Sequence, residues 1–335
     1  MTDLKVVMMG LGYIGLPTAA LIASRGIKVQ GIDVNQSVVD TINEGKIHIV
    51  EPALDGLVKH VVERGLLKAS TTVETADVYL IAVPTPFKGD YEPDLKYVES
   101  ATRMISPNLK EGNLFIIEST SPVGTTDKMA KIIFKERPEL KGKINIAYCP
   151  ERFNPGDPAR GVRQVARVIG CPDENVGRGL VTFYSQLTSE DVRYVGKIEV
   201  AEASKVIENV QRDINIALVN ELARIFPELD VDVEDVLNAA STKWNFHRYT
   251  PGIGVGGHCI PVDPYYMIQR AADVGVPAEL ISAARAVNRS MPIHVAQMVG
   301  ELMWNNGVLA DDARVLLLGW SYKPEVGDSR ETPAQ

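Results

Sequence analysis

The sequence has few of the residues that hold structural metals or cross-link small secreted proteins. Its 335 residues include three cysteines and five histidines. Cys149, Cys171 and Cys259 show neither a disulfide framework nor the paired spacing of metal ligands, and the histidines do not cluster. We therefore expect no metal site.

A basic surface and long apolar runs are missing as well. The net charge of −8 offers no positive footprint for nucleic acid, and no run of residues is long and apolar enough to cross a bilayer. The first predicted strand begins almost at Met1, which leaves no room for a signal peptide. These absences predict a cytoplasmic protein without nucleic-acid or membrane partners.

The N-terminal residues have the pattern of a dinucleotide-binding unit. Val6 to Met9 is predicted to be a buried strand, Gly10-Leu11-Gly12-Tyr13-Ile14-Gly15 the turn after it, and Pro17 to Ser24 a helix. The glycines let the backbone turn tightly and approach a pyrophosphate at the helix N-terminus, where unpaired N–H groups and the helix dipole favour negative charge.

The next strand indicates which cofactor is bound. Val29 to Ile32 ends at Asp33, where a Rossmann unit places the carboxylate that accepts hydrogen bonds from the adenosine ribose. The residues that follow, Val34 to Gln36, include no arginine for a 2′-phosphate. NAD is therefore favoured over NADP.

Three more predicted strands end in polar segments. They are Val78 to Val83 before Pro84-Thr85-Pro86, Leu114 to Ile117 before Glu118-Ser119-Thr120, and Ile144 to Tyr148 before Cys149-Pro150-Glu151-Arg152. Ligands of open parallel sheets lie beyond the carboxyl ends of the strands, so these segments should line the cofactor cleft. For Thr85 and Ser119, simple termination of the strand is an equal alternative.

From about Lys197 the pattern changes to long helical periodicity. The predicted helices are Val200 to Phe226, Val233 to Ala240, Pro277 to Arg289 and Pro292 to Gly307. Along the first helix, an otherwise apolar face carries Lys205, Asn209, Asp213 and Asn220. An ammonium and an amide directed into a cleft can hold an oxygen on which negative charge develops, whereas the alternative is a solvated face with Lys205 exposed.

Cys259 lies in a loop suited to wrapping a ligand. It follows four glycines in the segment from Gly252 to Gly257 and precedes Pro261 and Asp263. A thiol combined with a hydride acceptor suggests an oxidation through a covalent intermediate, while the alternative is a small buried hydrophobe. Adjacent side chains of an extended loop point opposite ways, so His258 is expected to be structural.

Taken together, the motifs resemble the nucleotide-sugar 6-dehydrogenases of the UDP-glucose/GDP-mannose dehydrogenase superfamily. The resemblance spans the whole chain and is carried by the Gly10–Gly15 fingerprint, Ile47–Pro52, Val83–Pro86, Glu118–Gly124, Cys149–Arg152, Lys205-x-x-x-Asn209, Gly256–Cys259 and Tyr322–Pro324. Ile47–Pro52 and Val83–Gly89 are most similar to the branch that oxidises UDP-N-acetyl-D-mannosamine. Lys243–Phe246 is more similar to the UDP-N-acetylglucosamine enzymes. A UDP-N-acetylhexosamine substrate is implied, and its C2 epimer stays open.

The resemblance implies a four-electron oxidation of the sugar C6 alcohol, with Cys259 holding first the aldehyde and then a thioester. It makes Lys205 and Asn209 oxyanion stabilisers, Asp263 and Thr120 holders of a water, and Glu151 an acid/base participant. With the fingerprint, it assigns NAD binding to Gly10, Gly12, Tyr13, Ile14, Gly15, Asp33, Pro84, Thr85, Ser119, Thr120 and Arg330. It assigns UDP-sugar binding to Glu151, Arg152, Lys205, Asn209, Arg248, Tyr249, Gly252, Gly256, Gly257 and Lys323. Arg248 matches only loosely an arginine that the family supplies from a neighbouring subunit.

The expected fold is α/β with three parts. Residues 1–196 form an NAD-binding Rossmann-like domain with a doubly wound parallel sheet. Residues 197–308 form an all-helical domain that carries the Cys259 loop and makes a homodimer. Residues 309–335 begin a C-terminal Rossmann-like UDP-sugar domain whose first strand is Val315 to Gly319, and which is expected to be truncated at Gln335.

Two other classes of function are also compatible with the motifs. A one-step β-hydroxyacid dehydrogenase shares the fingerprint and the Lys-x-x-x-Asn helix but needs no thiol, and it forms one NADH per substrate. A regulatory protein would bind NAD without catalysing the oxidation of a substrate.

Overall fold

The computed structural model describes residues 4–51, 53–89, 91–153, 161, 163–322 and 329–335. The chain divides into two compact units, Met1–Lys205 and Val206–Gln335. Within the described ranges, no helix has the length and apolar character needed to cross a membrane.

The first unit is built on an eight-stranded sheet. Its strands are β1 (Lys5–Met9), β2 (Lys28–Ile32), β3 (Leu67–Ser70), β4 (Val78–Ile81), β7 (Leu114–Ile117), β8 (Asn145–Tyr148), β9 (Arg167–Gly170) and β10 (Val192–Gly196), while β5 (Phe87–Lys88) and β6 (Glu92–Pro93) form a separate hairpin. The order across the sheet is β10-β9-β8-β7-β4-β1-β2-β3. All neighbours are parallel except β8 and β9. The chain reverses its direction of winding between β1 and β4, which is where open α/β sheets bind ligands.

Helices cover both faces of this sheet. They are α1 (Gly15–Ser24), α2 (Gln36–Asn43), α3 (Leu54–Glu63), α4 (Lys96–Ile105), α5 (Thr125–Glu136) and α6 (Glu174–Tyr184). Side chains alternate between the two faces of a strand, so Val6 and Met8 join one core with α1 and α3 while Val7 and Met9 join the other with α4 and α5. The two cores fix β1 in the middle of the sheet and with it the turn that follows.

The second unit is helical. It contains most of α7 (Ile198–Ile225), together with α8 (Val233–Ala240), α9 (Asp263–Asp273) and α10 (Glu279–Asn305). The α/β class with a mostly parallel N-terminal sheet followed by helices is confirmed.

Two details of the helical prediction were wrong. Helix α9 was missed because only Asp263, Pro264 and Tyr266 of it are buried, which leaves a weak periodic pattern. The break expected before Pro292 is absent, since α10 runs through it. Proline removes one backbone hydrogen bond of the helix, and burial of the neighbouring apolar Met291 helps to offset that loss.

The strand expected at Val315 to Gly319 is also absent. Residues 313–320 have no strand pairing, and Val315 to Leu318 are exposed. A strand needs a neighbour for its backbone N–H and C=O groups, and no described residue of the chain pairs with this segment.

Candidate active site

The glycine-rich turn after β1 has two crowded positions and one open position. Gly10 has a φ of +88°, and a Cβ there would lie 2.6 Å from the Ala82 carbonyl oxygen. A Cβ on Gly15 would lie 1.8 Å from the Gly10 oxygen, so neither position accepts another residue. A Cβ on Gly12, by contrast, would meet nothing within 4 Å. The space above Gly12 lets a ligand approach the backbone.

Asp33 connects this turn to the end of β2. Its Oδ2 accepts a hydrogen bond from the Leu11 amide at 3.1 Å, and its Oδ1 accepts one from the Asn35 amide at 2.9 Å. The carboxylate therefore lies at the strand end where a ribose would be bound. Tyr13 and Ile14 pack partly against the core beneath the turn. With an open glycine, a helix N-terminus without a side-chain cap and this carboxylate, the residues fit a dinucleotide.

The ends of β4 and β7 are held together by hydroxyl groups. Ser119 Oγ accepts a hydrogen bond from the Val83 amide at 2.9 Å and lies 2.8 Å from the Val83 carbonyl oxygen, to which it donates. Thr85 Oγ1 donates to the Thr120 carbonyl at 2.6 Å. Pro84, between these bonds, is exposed. Both hydroxyls thus hold the strand ends together, and the cofactor-binding role of Thr85 and Ser119 stays a prediction.

A buried ionic cluster follows β8. Glu151 forms an ion pair with Arg167, and one of its oxygens accepts hydrogen bonds from the amides of Arg152 and Phe153 at 2.8 and 2.9 Å. Glu118 Oε1 lies 3.7 Å from Arg167 Nη1. The side chain of Arg152 donates to the Ala166 carbonyl at 3.2 Å.

Burial raises the pKa of two groups in this region. Loss of solvent raises the pKa of Glu118 to about 7, although Arg167 opposes the shift and Tyr184 donates a 2.7 Å hydrogen bond to the carboxylate. Burial also raises the pKa of Cys149 to about 12, so that thiol is inert at neutral pH. The sequence interpretation did not include Glu118 and Arg167 as a pair. The signal available was an arginine inside an apolar strand, which requires a buried acid.

In the second unit, Asn209 and Asp263 form a buried pair. The Asn209 amide donates to Asp263 Oδ2 at 2.5 Å, and both residues are less than a tenth exposed. Asp263 is the first residue of α9, where the helix dipole favours a negative charge. Lys205, one turn before Asn209 on α7, is only 8% exposed, so the alternative of a solvated lysine is wrong.

Cys259 begins the turn that leads into α9. Its carbonyl accepts hydrogen bonds from the amides of Val262 at 3.1 Å and Asp263 at 2.8 Å. Cys149 and Cys171 are buried, whereas Cys259 keeps partial exposure. The interpretation of Cys259 as a small buried hydrophobe therefore does not hold.

The glycine loop before Cys259 packs against the C-terminal residues. The Gly257 amide donates to the Arg330 carbonyl at 2.9 Å, and a Cβ on Gly256 would lie 2.5 Å from Tyr322 Cβ. An Arg330 Nη lies 3.0 Å from His258 Nδ1. Because guanidinium only donates, this ring nitrogen is the acceptor. Arg330, predicted to bind NAD, thus contacts the residue next to Cys259 in this unit.

The other predicted substrate residues of this part of the chain have different surroundings, and one of them lies outside the described residues. Arg248 forms an ion pair with Glu234 and donates to Asn238 Oδ1 at 2.7 Å, so in this chain it folds back on α8. Tyr249 is half-buried at the start of the loop. Lys323 lies outside the described residues. Searched over those residues alone, the protein has no group of three His, Cys, Asp or Glu side chains that could hold a metal.

Comparison with known proteins gives consistent results. Residues 4–188 match the NAD binding domain of the UDP-glucose/GDP-mannose dehydrogenase family, and residues 199–290 match its central domain. The UDP-N-acetyl-D-mannosamine dehydrogenase of Campylobacter jejuni is 44% identical over 98% of this chain and 81% of its own length. The NDP-N-acetyl-D-galactosaminuronic acid dehydrogenase of Ralstonia nicotianae is 42% identical over 98% and 77%. The solved structure of the UDP-D-ManNAc dehydrogenase from Pyrococcus horikoshii has a TM-score of 0.91 at 36% identity, covering 98% of this chain and 79% of that one.

Proposed function

Because the chain belongs to the UDP-glucose/GDP-mannose dehydrogenase family, we propose that it oxidises the C6 hydroxyl of UDP-N-acetyl-D-mannosamine to the uronic acid. The observation that carries this proposal is the buried Asn209–Asp263 pair beside the partly exposed Cys259 turn. The mannosamine substrate is supported by the names of relatives more than 40% identical to the chain. NAD supplies the hydride acceptor for each of two oxidations.

Cys259 is proposed to keep the aldehyde bound between the two oxidations. After the C6 alcohol has lost a proton and a hydride, the Cys259 thiolate adds to the aldehyde carbon and a proton moves to its oxygen, giving a thiohemiacetal. Loss of a second hydride and that proton leaves a thioester. Water then adds to the thioester carbon, and the C–S bond breaks to release the acid and the thiol. For each molecule of acid formed, the reaction consumes one alcohol, one water and two hydride acceptors.

The remaining polar groups stabilise charge in these steps. Lys205 and Asn209, one turn apart on α7, are proposed to donate hydrogen bonds to the oxygen that becomes negative. Asp263 and Thr120 are proposed to orient the attacking water, and Glu151 to accept its proton. The buried ion pair with Arg167 fixes the position of the Glu151 carboxylate.

The nucleotide sugar is proposed to bind along the glycine loop. Tyr249, Gly252, Gly256 and Gly257 would contact the UDP-sugar there, with Arg152, Arg248 and Lys323 reaching its polar groups. A Cβ on Gly252 would meet nothing within 4 Å, which leaves room for a diphosphate or a sugar to approach the backbone there. Residues 309–335 are proposed to belong to a further sugar-binding domain.

A homodimer through the helical domain is the proposed assembly. Apolar side chains on α7 and α10 are exposed, among them Ile207, Leu218, Ile293, Leu302 and Trp304. Exposed apolar patches on helices mark association surfaces. Light scattering coupled to gel filtration should give twice the monomer mass, and a monomer at micromolar concentration would overturn this part.

The test of substrate is NADH release with a panel of UDP-sugars, followed by identification of the product. UDP-N-acetyl-D-mannosamine should have the highest kcat/KM and give a uronic acid. A higher value for UDP-N-acetylglucosamine would select the alternative epimer, which Lys243–Phe246 favours. One NADH per substrate without acid would point to a one-step dehydrogenase. NAD binding without turnover of any nucleotide sugar would leave only a regulatory role.

A further inference from the structure

Helix α7 carries two buried polar residues that the proposed chemistry does not use. Asp213 and Asn220 have no measurable exposure, and they continue the polar track that begins at Lys205. A buried polar side chain is costly unless its hydrogen bonds are satisfied, so each of these residues must have a partner.

Asp213 anchors a network between α7 and α10. Arg285 Nη1 lies 2.5 Å from Asp213 Oδ1 in a buried ion pair. The Asn288 side-chain amide donates to Asp213 Oδ1 at 2.8 Å and to the Asp213 carbonyl at 2.9 Å. The Arg285 guanidinium also lies 5.6 Å from the ring centre of Tyr265 on α9. Three helices are thus connected at this point.

Asn220 extends the network to the glycine loop. Its Nδ2 donates to Asn288 Oδ1 at 2.9 Å, and its Oδ1 accepts from the Gly252 backbone amide at 2.9 Å. The direction of every bond is determined by the two ends of this chain, because a carboxylate only accepts and a backbone N–H only donates. Both amide orientations are therefore fixed by the hydrogen-bond chemistry.

A second contact joins the same loop to α10. Gly254 has a φ of +131°, and a Cβ there would lie 3.2 Å from the Asn288 carbonyl oxygen. That carbonyl has lost its usual helical donor, because the residue four positions later is Pro292, which has no N–H. The loop thus packs against α10 where the helix lacks one hydrogen bond. The Asn288 carbonyl lies beside the loop, and the Asn288 side chain is linked to it through Asn220.

We propose that Asn220 and Asn288, anchored by the Asp213–Arg285 pair, are positioning residues that hold the loop from Gly252 to Gly257 in its substrate-binding shape. The inference rests on the proposed function, in which this loop binds the nucleotide sugar. A glycine-rich segment loses much conformational entropy when a ligand orders it. A loop that is ordered in advance avoids that cost, so the network should act on substrate affinity.

The sharpest variant is Asn220→Asp, which keeps size and shape but removes the donor to Asn288. Rotation of the Asn288 amide cannot repair the network, because it would turn the Asn288 oxygen towards Asp213. The matched control is Asn215→Asp on the same helix, where the amide donates to the Gln211 carbonyl one turn earlier. Asn220→Ser, which shortens the side chain without adding a charge, provides the same test if Asn220→Asp does not purify as a folded protein.

The expected result is a KM for the UDP-sugar raised at least tenfold in Asn220→Asp, with kcat at saturating sugar within about threefold and the KM for NAD unchanged. Hydrogen exchange of the peptide that covers residues 250–257 should become faster in this variant and not in the control. A merely structural role would instead lower Tm and kcat together and leave the KM for the sugar unchanged, which would overturn the proposal. The exchange measurement needs no substrate, so it separates failure of this inference from failure of the proposed function.

Discussion

Asn209 donates a 2.5 Å hydrogen bond to the carboxylate of Asp263, the residue at which α9 begins. The bond fixes the orientation of the Asn209 amide, since a carboxylate accepts and cannot donate. One amide hydrogen is used in that bond, and the other is the one that the proposed mechanism assigns to an oxygen of the substrate. The same aspartate donates its backbone N–H to the Cys259 carbonyl at 2.8 Å. Asp263 therefore positions both the turn at Cys259 and the side-chain amide of Asn209.

Gly12→Ala should weaken NAD binding without unfolding the protein. No protein atom lies within 4 Å of a Cβ at this position, so the substitution is tolerated by the fold and intrudes only on a bound pyrophosphate. We expect the Kd for NAD in calorimetry to rise at least tenfold, or about 1.4 kcal/mol, with Tm unchanged. Gly15→Ala is the contrasting variant and should unfold the domain. An unchanged Kd in Gly12→Ala would contradict a pyrophosphate at this turn.

NAD should bind at least ten times more tightly than NADP. The Asp33 carboxylate lies at the end of β2, where a 2′-phosphate would meet a like charge, at a cost of roughly 1–3 kcal/mol. Asp33→Asn removes the charge and keeps one oxygen acceptor, so it should narrow the difference between the two cofactors. Equal dissociation constants in the wild-type protein would exclude the role assigned to Asp33.

Much of this cofactor site could be predicted from the sequence, because its residues are close together along the chain. A strand, a glycine turn, a helix and a terminal aspartate occupy fewer than 30 residues, and their spacing alone defines the geometry. The Glu118–Arg167–Glu151 cluster could not be predicted in this way. Its members come from the neighbourhoods of three strands, and only the pairing of those strands brings their charges together.

The path of the chain around the Cys259 thiol could not be predicted from the sequence either. Cys259 was predicted from its glycine-rich loop and Asp263 from the family resemblance, but α9 was missed and α10 was divided at Pro292. Propensity disfavours a proline within a helix, and here tertiary packing overrides that preference. The bond from Asn220 to Gly252 likewise depends on the packing of α7 against the loop and has no local signal.

Lys205→Ala should lower turnover far more than it weakens UDP-sugar binding. A donor to a developing oxyanion acts mainly in the transition state, and loss of one such donor typically costs about 10²–10³-fold in kcat. Steady-state kinetics should show that fall with KM changed by less than about threefold. Arg212→Ala, an exposed change on the same helix, is the control. Unchanged turnover in Lys205→Ala would remove the lysine from the proposed chemistry.

The stability of the first unit should decrease between pH 4.5 and pH 7. Burial raises the pKa of Glu118 from 4.5 to about 7, so in this window the folded carboxyl holds a proton that the unfolded chain has released. That contribution is fully present below pH 4.5 and is lost as pH rises through about 7; it corresponds to about 3 kcal/mol. Glu118→Gln should reduce the fall in the free energy of unfolding between pH 5 and pH 8. A slope identical to that of the wild type would show that Glu118 titrates normally.

The central claim is that Cys259 holds the intermediate between two oxidations, and counting NADH against uronic acid tests it most directly. The wild-type protein should form two NADH and one acid for each UDP-N-acetyl-D-mannosamine, with no free aldehyde. Cys259→Ala should form at most one NADH per sugar, and acid release should fall by several orders of magnitude, because the nucleophile of the second stage is gone. Cys149→Ala, which removes a buried inert thiol, should keep the stoichiometry of two. Formation of two NADH and one acid by Cys259→Ala at a rate near that of the wild type would contradict the account.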